Sequence, residues 1–251
     1  MALGGGAFTA HNKSIPGAYI NFVSRTQPAG AGERGYAAIG IELDWGPSDL
    51  FTVTAEKAVN ASQELFGYSY DSDKLMPVRE LFRHATNVTF YKLNGGGAKA
   101  TSTGATALYT GTRGNDLRVK IAADVDDTSK FVVTTLLDNS TVDTQTVRNI
   151  SELKDNDFVT FTLKDLTPGE EQLSGGTNGT VTGNSHNAFL KALEAEAPVY
   201  NTLGCNSSDD TAKAVYVKFI KRMRDQVGIK AQLVVLDYAA DYEGVIDVVD
   251  T

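Results

Sequence analysis

The feature that most constrains the fold is a change of hydrophobic periodicity at two glycine-rich segments. Gly95–Gly97 opens a region of strand patterns and turns, and Gly175–Gly179 closes it. Outside these segments helix and strand patterns alternate, which is typical of an α/β sheet, whereas the enclosed region holds no clear helix pattern. We therefore predict an α/β (α+β) body at residues 36–94 and 182–251, with an inserted all-β sandwich domain at residues 95–181.

The first part of the body has the signals of two strands and two helices. Ala37–Leu43 has the small and apolar residues of a strand, and Val88–Leu93 predicts another. Thr54 can cap a helix that ends at Gly67, because threonine accepts hydrogen bonds from N-terminal amides and glycine adopts the left-handed cap conformation. A second helix is predicted over Asp73–His84, where apolar residues share one face.

The second part of the body contains the strongest helix pattern in the chain. Asn184 or Ser185 is expected to cap one helix, which ends before Pro198, and Asp209 or Asp210 to cap the next. The latter helix has an apolar face at positions i, i+4 and i+8, with basic residues on its other sides. Three strands are predicted around these helices, at Val199–Leu203, Ala231–Leu236 and Gly244–Val249.

The inserted region has at least four strand patterns, which alternate with turns rich in Asn, Asp and Gly. They lie at Leu117–Ala122, Phe131–Leu137, Thr144–Ile150 and Phe158–Leu163. Short strands at this spacing favour a β-sandwich or a small barrel.

Residues 1–35 form a third compositional zone, rich in Gly, Ala, Ser, Thr and Pro. The segment has too few apolar residues to fold alone, and its one periodic part is Ile15–Val23. It carries a net charge of +2, from three basic residues against Glu33. Two interpretations stay open: an extended arm that pairs with something else, or a frayed terminus.

Composition excludes several classes of function. The 251 residues include 23 Lys and Arg against 31 Asp and Glu, for a net charge of −8. This balance argues against nucleic acid or an anionic membrane as the main partner, because both attract clustered cations. Cys205 is the only cysteine, so no internal disulfide is expected. No signal peptide pattern and no apolar run of roughly 18 residues are present, so we expect cytoplasmic synthesis without membrane insertion.

No pattern of residues points to catalysis, a cofactor or a metal. Gly30–Gly35 has the G-x-G-x-x-G spacing, but no strand precedes it and no helix follows, as dinucleotide binding requires. The three histidines, His11, His84 and His186, lie in different zones. The acidic run Asp124–Asp127 lacks the glycine and the distal glutamate of a calcium loop. We therefore predict that the protein is not an enzyme.

Seven short phrases occur in order along the chain: Met1–Gly6, Ile15–Ile20, Arg34–Ala38, Leu43–Pro47, Gly111–Leu117, Leu173–Gly179 and Asp241–Ile246. Together they resemble the contractile tail sheath proteins of myophages and phage-like bacteriocins, especially those of defective prophages in Gram-positive bacteria. The resemblance covers essentially the whole chain. Members of this family usually continue with a C-terminal segment that completes the inner domain, and this sequence stops at Thr251.

The resemblance implies a mechanical function. Sheath subunits form six-fold rings that stack helically around an inner tail tube, between a baseplate and a tail terminator, in a particle assembled in the host cytoplasm. Neighbours are joined by extended arms that add strands to the next subunit's sheet. The subunit-interface arm here would be formed by Ile15, Tyr19, Ile20, Phe22, Val23 and Arg25. Contraction would then draw its work from assembly free energy.

Two other classes of function are weighed against the sheath. In the first, the β domain is a module that binds a glycan or a cell surface, with Tyr109, Phe131 and Phe158 lining a groove. In the second, the α/β body carries a nucleotide-dependent enzyme. The aromatic residues fit a hydrophobic core better than a groove, and no phosphate-binding loop is found in the sequence.

Overall fold

The computed structural model describes residues 35–249, in which thirteen strands form three sheets. The strands of the largest sheet are β1 Tyr36–Ile41, β2 Phe51–Thr54, β3 Asn87–Lys92, β11 Thr202–Gly204, β12 Gln232–Leu236 and β13 Val245–Val248. Its order is β13-β12-β11-β1-β3-β2; β2 is antiparallel to its neighbour and all other pairs are parallel.

The other two sheets are antiparallel and come from the middle of the chain. Their strands are β4 Lys99–Thr101, β5 Ala105–Thr110, β6 Leu117–Ala123, β7 Phe131–Leu137, β8 Ser140–Val147, β9 Val159–Phe161 and β10 Gly169–Gln172. One sheet has the order β10-β6-β7-β8 and the other β4-β5-β9. Their inward side chains share one hydrophobic core, as in a sandwich. The predicted fold class, an α/β body with a separate all-β sandwich, is confirmed.

Within the described residues, five α-helices pack on the large sheet. They are α1 Ala55–Asn60, α2 Ser62–Phe66, α3 Met76–Phe82, α4 Gly183–Glu196 and α5 Asp210–Arg222. Helices α1 to α3 pack with β1, β2 and β3 in one core cluster, and α4 and α5 pack with β11 and β12 in another. A π-helical turn extends α5 to Val227, where Gly228 ends it in the left-handed conformation with φ 86°.

Several helix boundaries differ from those predicted. Thr54 caps α1, as predicted, and accepts a hydrogen bond from the Lys57 amide at 3.1 Å. The single helix predicted from there to Gly67 is interrupted at Ala61, and α2 forms its second part, which ends at Gly67. The cap of α4 is Thr182, which forms a capping box with Ser185; the prediction of Asn184 or Ser185 as the cap was wrong. Asp209 caps α5, one of the two residues predicted.

The strand predictions missed four strands and misplaced another. β2, β4, β5 and β10 were not foreseen, and β8 begins and ends earlier than the predicted Thr144–Ile150. All four exposed residues of β10 are polar or glycine, so periodicity gives no signal there. Asp73–Leu75 is a 3₁₀ turn, and the α-helix predicted over Asp73–His84 is confined to α3.

Candidate assembly surface and domain junction

The strand β13 is a free edge of the large sheet. It pairs in parallel with β12 on one side, and no other strand of residues 35–249 pairs with it. The Gly244 carbonyl accepts a hydrogen bond from the Leu233 amide of β12, and the Val248 carbonyl accepts one from the amide of Asp237, which directly follows β12. By the alternation of a parallel strand, the N–H and C=O of Asp247 therefore point to the open edge. Such an edge is a ready template for another strand.

One face of the sheet beside this edge is apolar, and no element among residues 35–249 covers it. Leu233 and Val235 of β12 turn towards α4 and α5 and are buried. Alternate side chains turn to the other face: Leu236 is 48 % exposed, Ile246 43 % and Val248 46 %. Because parallel strands normally have both faces covered, this half of the sheet has the character of a contact surface.

The segment that leads into β13 is anchored to the end of α5. Arg224 Nη1 donates to the Ala231 carbonyl at 2.9 Å, and Nη2 donates to Glu243 Oε1 at 3.0 Å. Tyr242 donates its hydroxyl to Asp225 Oδ1 at 2.8 Å. These hydrogen bonds hold the turn before β13 in place, and with it the start of the free edge strand.

The junction between the α/β body and the sandwich is the second region of interest. Trp45 contacts both domains there. Its ring is 1 % exposed and packs in the sandwich core, 5.3 Å from the Tyr109 ring and 6.2 Å from the Phe158 ring. Its indole N–H donates to the Glu64 carbonyl of α2 at 2.9 Å. The Trp45 side chain therefore links the sandwich core to helix α2 of the body.

Arg113 ties the sandwich to the same part of the body. Its Nε donates to the Gly67 carbonyl at 2.8 Å, and its guanidinium lies 4.5 Å from the centre of the Tyr68 ring. It also pairs with Asp116 at 2.9 Å and with Asp138 at 2.7 Å. The hydrogen bond from Arg113 lowers the pKa of Asp138.

A buried lysine makes a third tie across the junction. Lys92 of β3 is 1 % exposed, and its Nζ donates to the Thr110 carbonyl at 2.5 Å. Burial lowers the pKa of Lys92 to about 8, and the charge of Asp44 opposes this shift. Asn94 adds main-chain contacts, because its Oδ1 accepts from the Leu43 amide and its carbonyl accepts from the Gly179 amide.

Three phrases that carried the sequence resemblance meet at this junction. Asp44 accepts a hydrogen bond from Asn178 Nδ2 at 2.9 Å, and Asn178 Oδ1 accepts from the Thr112 amide at 3.1 Å. Gly111 has φ 130°, and a Cβ there would lie 1.8 Å from the Asp44 carbonyl oxygen. Asn115 bonds to both the N–H and the C=O of Gly176. The three segments, which are far apart in the sequence, are therefore held together by one set of hydrogen bonds and close contacts.

The histidines and the cysteine that were considered for catalysis or metal binding do not form a common site in the described structure. His84 is exposed after α3, and His186 is buried in α4, where its Nδ1 lies 3.0 Å from the Tyr216 hydroxyl. Burial lowers the pKa of His186 and raises that of Cys205 to about 11, so the thiol stays protonated. Over residues 35–249 no group of His, Cys, Asp and Glu has the arrangement of a metal site. His11 lies outside the described residues.

The aromatic residues considered for a glycan groove lie in or against the sandwich core. Phe158 is 4 % exposed and Tyr109 packs against Trp45. Phe131 is partly buried and packs against the same core. These side chains do not form an exposed aromatic platform.

The residues predicted for the subunit-interface arm lie outside the described residues. They are Ile15, Tyr19, Ile20, Phe22, Val23 and Arg25. Their role stays a prediction. Within the described part of the chain, no helix has the length and apolarity to cross a membrane.

Sequence comparison identifies the class of protein to which this architecture belongs. Residues 93–178 match the phage tail sheath protein beta-sandwich domain, and residues 179–251 match the phage tail sheath protein central domain. The chain therefore belongs to the phage tail sheath protein family. This family is structural, in agreement with the prediction that the protein is not an enzyme.

Two curated proteins of Bacillus subtilis strain 168 are similar over nearly the whole chain. The uncharacterized protein YqbK is 38% identical over 273 residues, and the phage-like element PBSX protein XkdK is 34% identical over 275 residues. These alignments include 98% and 99% of this chain and 58% of each relative. The chain thus spans less than two thirds of the length of these relatives.

Two crystal structures have a similar fold. The sheath tail protein from Desulfitobacterium hafniense superposes with a TM-score of 0.77 at 38% identity, covering 92% of this chain and 56% of that one. The sheath tail protein from Listeria innocua gives 0.74 at 35% identity, covering 87% and 51%. The resemblance inferred from the ordered phrases is confirmed.

Proposed function

We propose that this chain is part of a subunit of a contractile tail sheath. Copies would form hexameric rings that stack helically around an inner tail tube and contract to drive the tube through the target envelope. The domains would be an N-terminal arm at residues 1–35, an α/β body at residues 36–94 and 182–251, and an outward-facing sandwich at residues 95–181. Family membership and the free edge at β13 support this proposal.

The observation that carries the proposal is the unpaired edge of β13. An arm strand from Ile15–Val23 of another copy would extend the sheet there, using main-chain hydrogen bonds. Such a contact joins two different surfaces of the subunit, and head-to-tail contacts of this kind generate helical polymers when the rotation does not close. The apolar face next to β13 would gain cover as the sheet widens.

The contacts at the junction support a subunit in which body and sandwich move as one rigid unit. Trp45, Arg113 and Lys92 each make buried contacts with both the body and the sandwich. Contraction would then rearrange the contacts between subunits, and the arms would keep neighbours connected. The inner tube protein, the baseplate and the tail terminator would be the other partners, in a particle assembled in the cytoplasm of the host.

The test is assembly of the protein as seen by electron microscopy. We expect rings or tubes, and loss of assembly when residues 1–28 are deleted. A single substitution addresses the acceptor edge: Asp247→Pro removes the outward N–H, while proline is tolerated on an edge strand. Its matched control is Asp247→Ala, which removes the carboxylate and keeps the N–H.

Asp247→Pro is expected to abolish assembly and Asp247→Ala to preserve it, with both variants folded by circular dichroism. Assembly that survives both the arm deletion and Asp247→Pro would contradict the role of arm and edge. Monodisperse, unassembled wild-type protein in the presence of the tube protein would contradict the sheath function of this chain.

A further inference from the structure

The groove between α4 and α5 is a concave surface with a positively charged rim. It has a volume of about 250 Å³, and its floor is formed by Leu190, Val215 and Phe219. Lys191 and Lys218 stand exposed on its rim, and no ion-pair partner of either is found within residues 35–249.

One end of this groove is closed by an ion pair between the two helices. Arg222 donates to both oxygens of Glu194 at 2.6 Å. With the two rim lysines, the groove therefore has three cations against one carboxylate, in a chain whose net charge is −8. An apolar floor within a basic rim fits an acidic partner segment that carries one projecting apolar side chain.

The loop between β6 and β7 has this chemistry. Val125 at its tip is 96 % exposed and lies between Asp124 and Asp126. Asp127 follows, and Lys130 pairs with it at 3.2 Å, so that the loop has a net charge of −2.

The conformation of this loop is held by its own hydrogen bonds. Asp124 Oδ1 accepts from the amides of Asp126 and Asp127, and the Lys130 amide donates to the Asp127 carbonyl. Arg148 of the sandwich also lies 4.0 Å from Asp127. Val125 is therefore presented in a preformed turn, so that binding would cost little conformational entropy.

The loop does not fill the groove of its own copy, because Val125 is exposed and does not line it. The strand β6 has seven residues and begins at Leu117, next to the junction, which places the loop roughly 20 Å from the body along the strand. A contact between loop and groove would therefore join two copies through different surfaces.

We propose that the Val125 loop of one copy docks in the α4–α5 groove of another. The inference rests on the proposed sheath polymer and names a second contact, separate from the arm and the β13 edge. Val125 would contact Leu190, Val215 and Phe219, and the loop carboxylates would face Lys191 and Lys218. Because loop and groove differ, this contact repeats head to tail.

Disulfide trapping between two tagged copies tests the contact directly. In a Cys205→Ser background, one copy carries Val125→Cys and the other Val215→Cys, and mixed dimers are quantified after mild oxidation under assembly conditions. The control replaces Val125→Cys by Val199→Cys, because Val199 is also highly exposed, at 72 %, and lies outside the groove and the loop. Trapping well above this control is expected.

A charge exchange tests the chemistry of the contact. Lys218→Glu on the groove copy is expected to lower the yield of mixed dimers roughly fivefold, and Asp126→Lys on the loop copy to restore it. Both side chains are exposed, so the thermal midpoint of each variant should stay near that of the parent.

Trapping equal to the Val199→Cys control, or a yield that the exchange fails to restore, would overturn the inference. Trapping with the inner tube protein instead of a second copy would overturn it as well. Rings or tubes that form normally without this cross-link would leave the sheath proposal intact and remove only this contact. Absence of both assembly and cross-link would remove both.

Discussion

Replacing Arg113 by alanine is the sharpest perturbation of the junction between body and sandwich. The Arg113 side chain is 10 % exposed and has four partners: a main-chain carbonyl, two carboxylates and an aromatic ring. The hydrogen bond to the Gly67 carbonyl is charge-assisted and contributes about 1.5 kcal/mol. The pairs with Asp116 and Asp138 contribute about 0.5 kcal/mol each, because these carboxylates are half exposed. Stacking on the Tyr68 ring adds about 0.5 kcal/mol.

Arg113→Ala is therefore expected to lower the free energy of unfolding by about 3 kcal/mol. The assay is urea unfolding followed by tryptophan fluorescence, because Trp45 is the only tryptophan and lies in the junction itself. Arg83→Ala is the matched control: its ion pair with Glu80 is exposed, with an arginine side chain that is 68 % accessible. The control should leave the free energy of unfolding nearly unchanged, because water screens an exposed ion pair. Equal losses in the two variants would refute the reasoning.

Two further predictions concern the same junction. Lys92→Met should remove a pH dependence of stability. The pKa of Lys92 is lowered from 10.5 to about 8 in the folded protein, so between these pH values the unfolded chain binds a proton that the folded chain does not. Urea unfolding should therefore show wild-type stability rising relative to the variant from pH 8 to 10.5. Parallel curves for the two proteins over that range would contradict the burial of a charged lysine. Gly111→Ala should destabilise the fold by more than about 3 kcal/mol, since its φ of 130° and the Asp44 carbonyl leave no room for a Cβ, whereas Gly183→Ala, with open space around it, should be nearly neutral in thermal unfolding. A stable Gly111→Ala variant would show that the junction can relax.

The junction also explains why the sequence resemblance could be recognised from short phrases. Residues 43–47, 111–117 and 173–179 are far apart in the chain but contact one another through Asp44, Thr112 and Asn178. Each phrase satisfies part of one hydrogen-bond network, so that the ordered set is more specific than any phrase alone. The hydrophobic periodicity of these segments is that of loops, and it does not show that they contact one another.

Local signals in the sequence determined the class of fold and several of the helix ends. Thr54, Gly67, Asp209 and Gly228 act within a few residues of their positions, because a cap needs only the nearest free amides or carbonyls. Long strands with alternating side chains, such as β6 and β7, were found for the same reason. Polar edge strands such as β10 were missed, since their stability comes from a neighbour.

Tertiary structure alone decided which residues hold the parts together and which surfaces stay open. A lysine in a strand pattern gives no sign that Lys92 is buried against Thr110, and the pattern of β13 does not show that it lies at an edge. Both facts depend on the order of strands in the sheet and on contacts between distant segments. Periodicity reports only which side of a strand or helix is apolar, whereas the partner on that side is chosen by the packing of the whole chain.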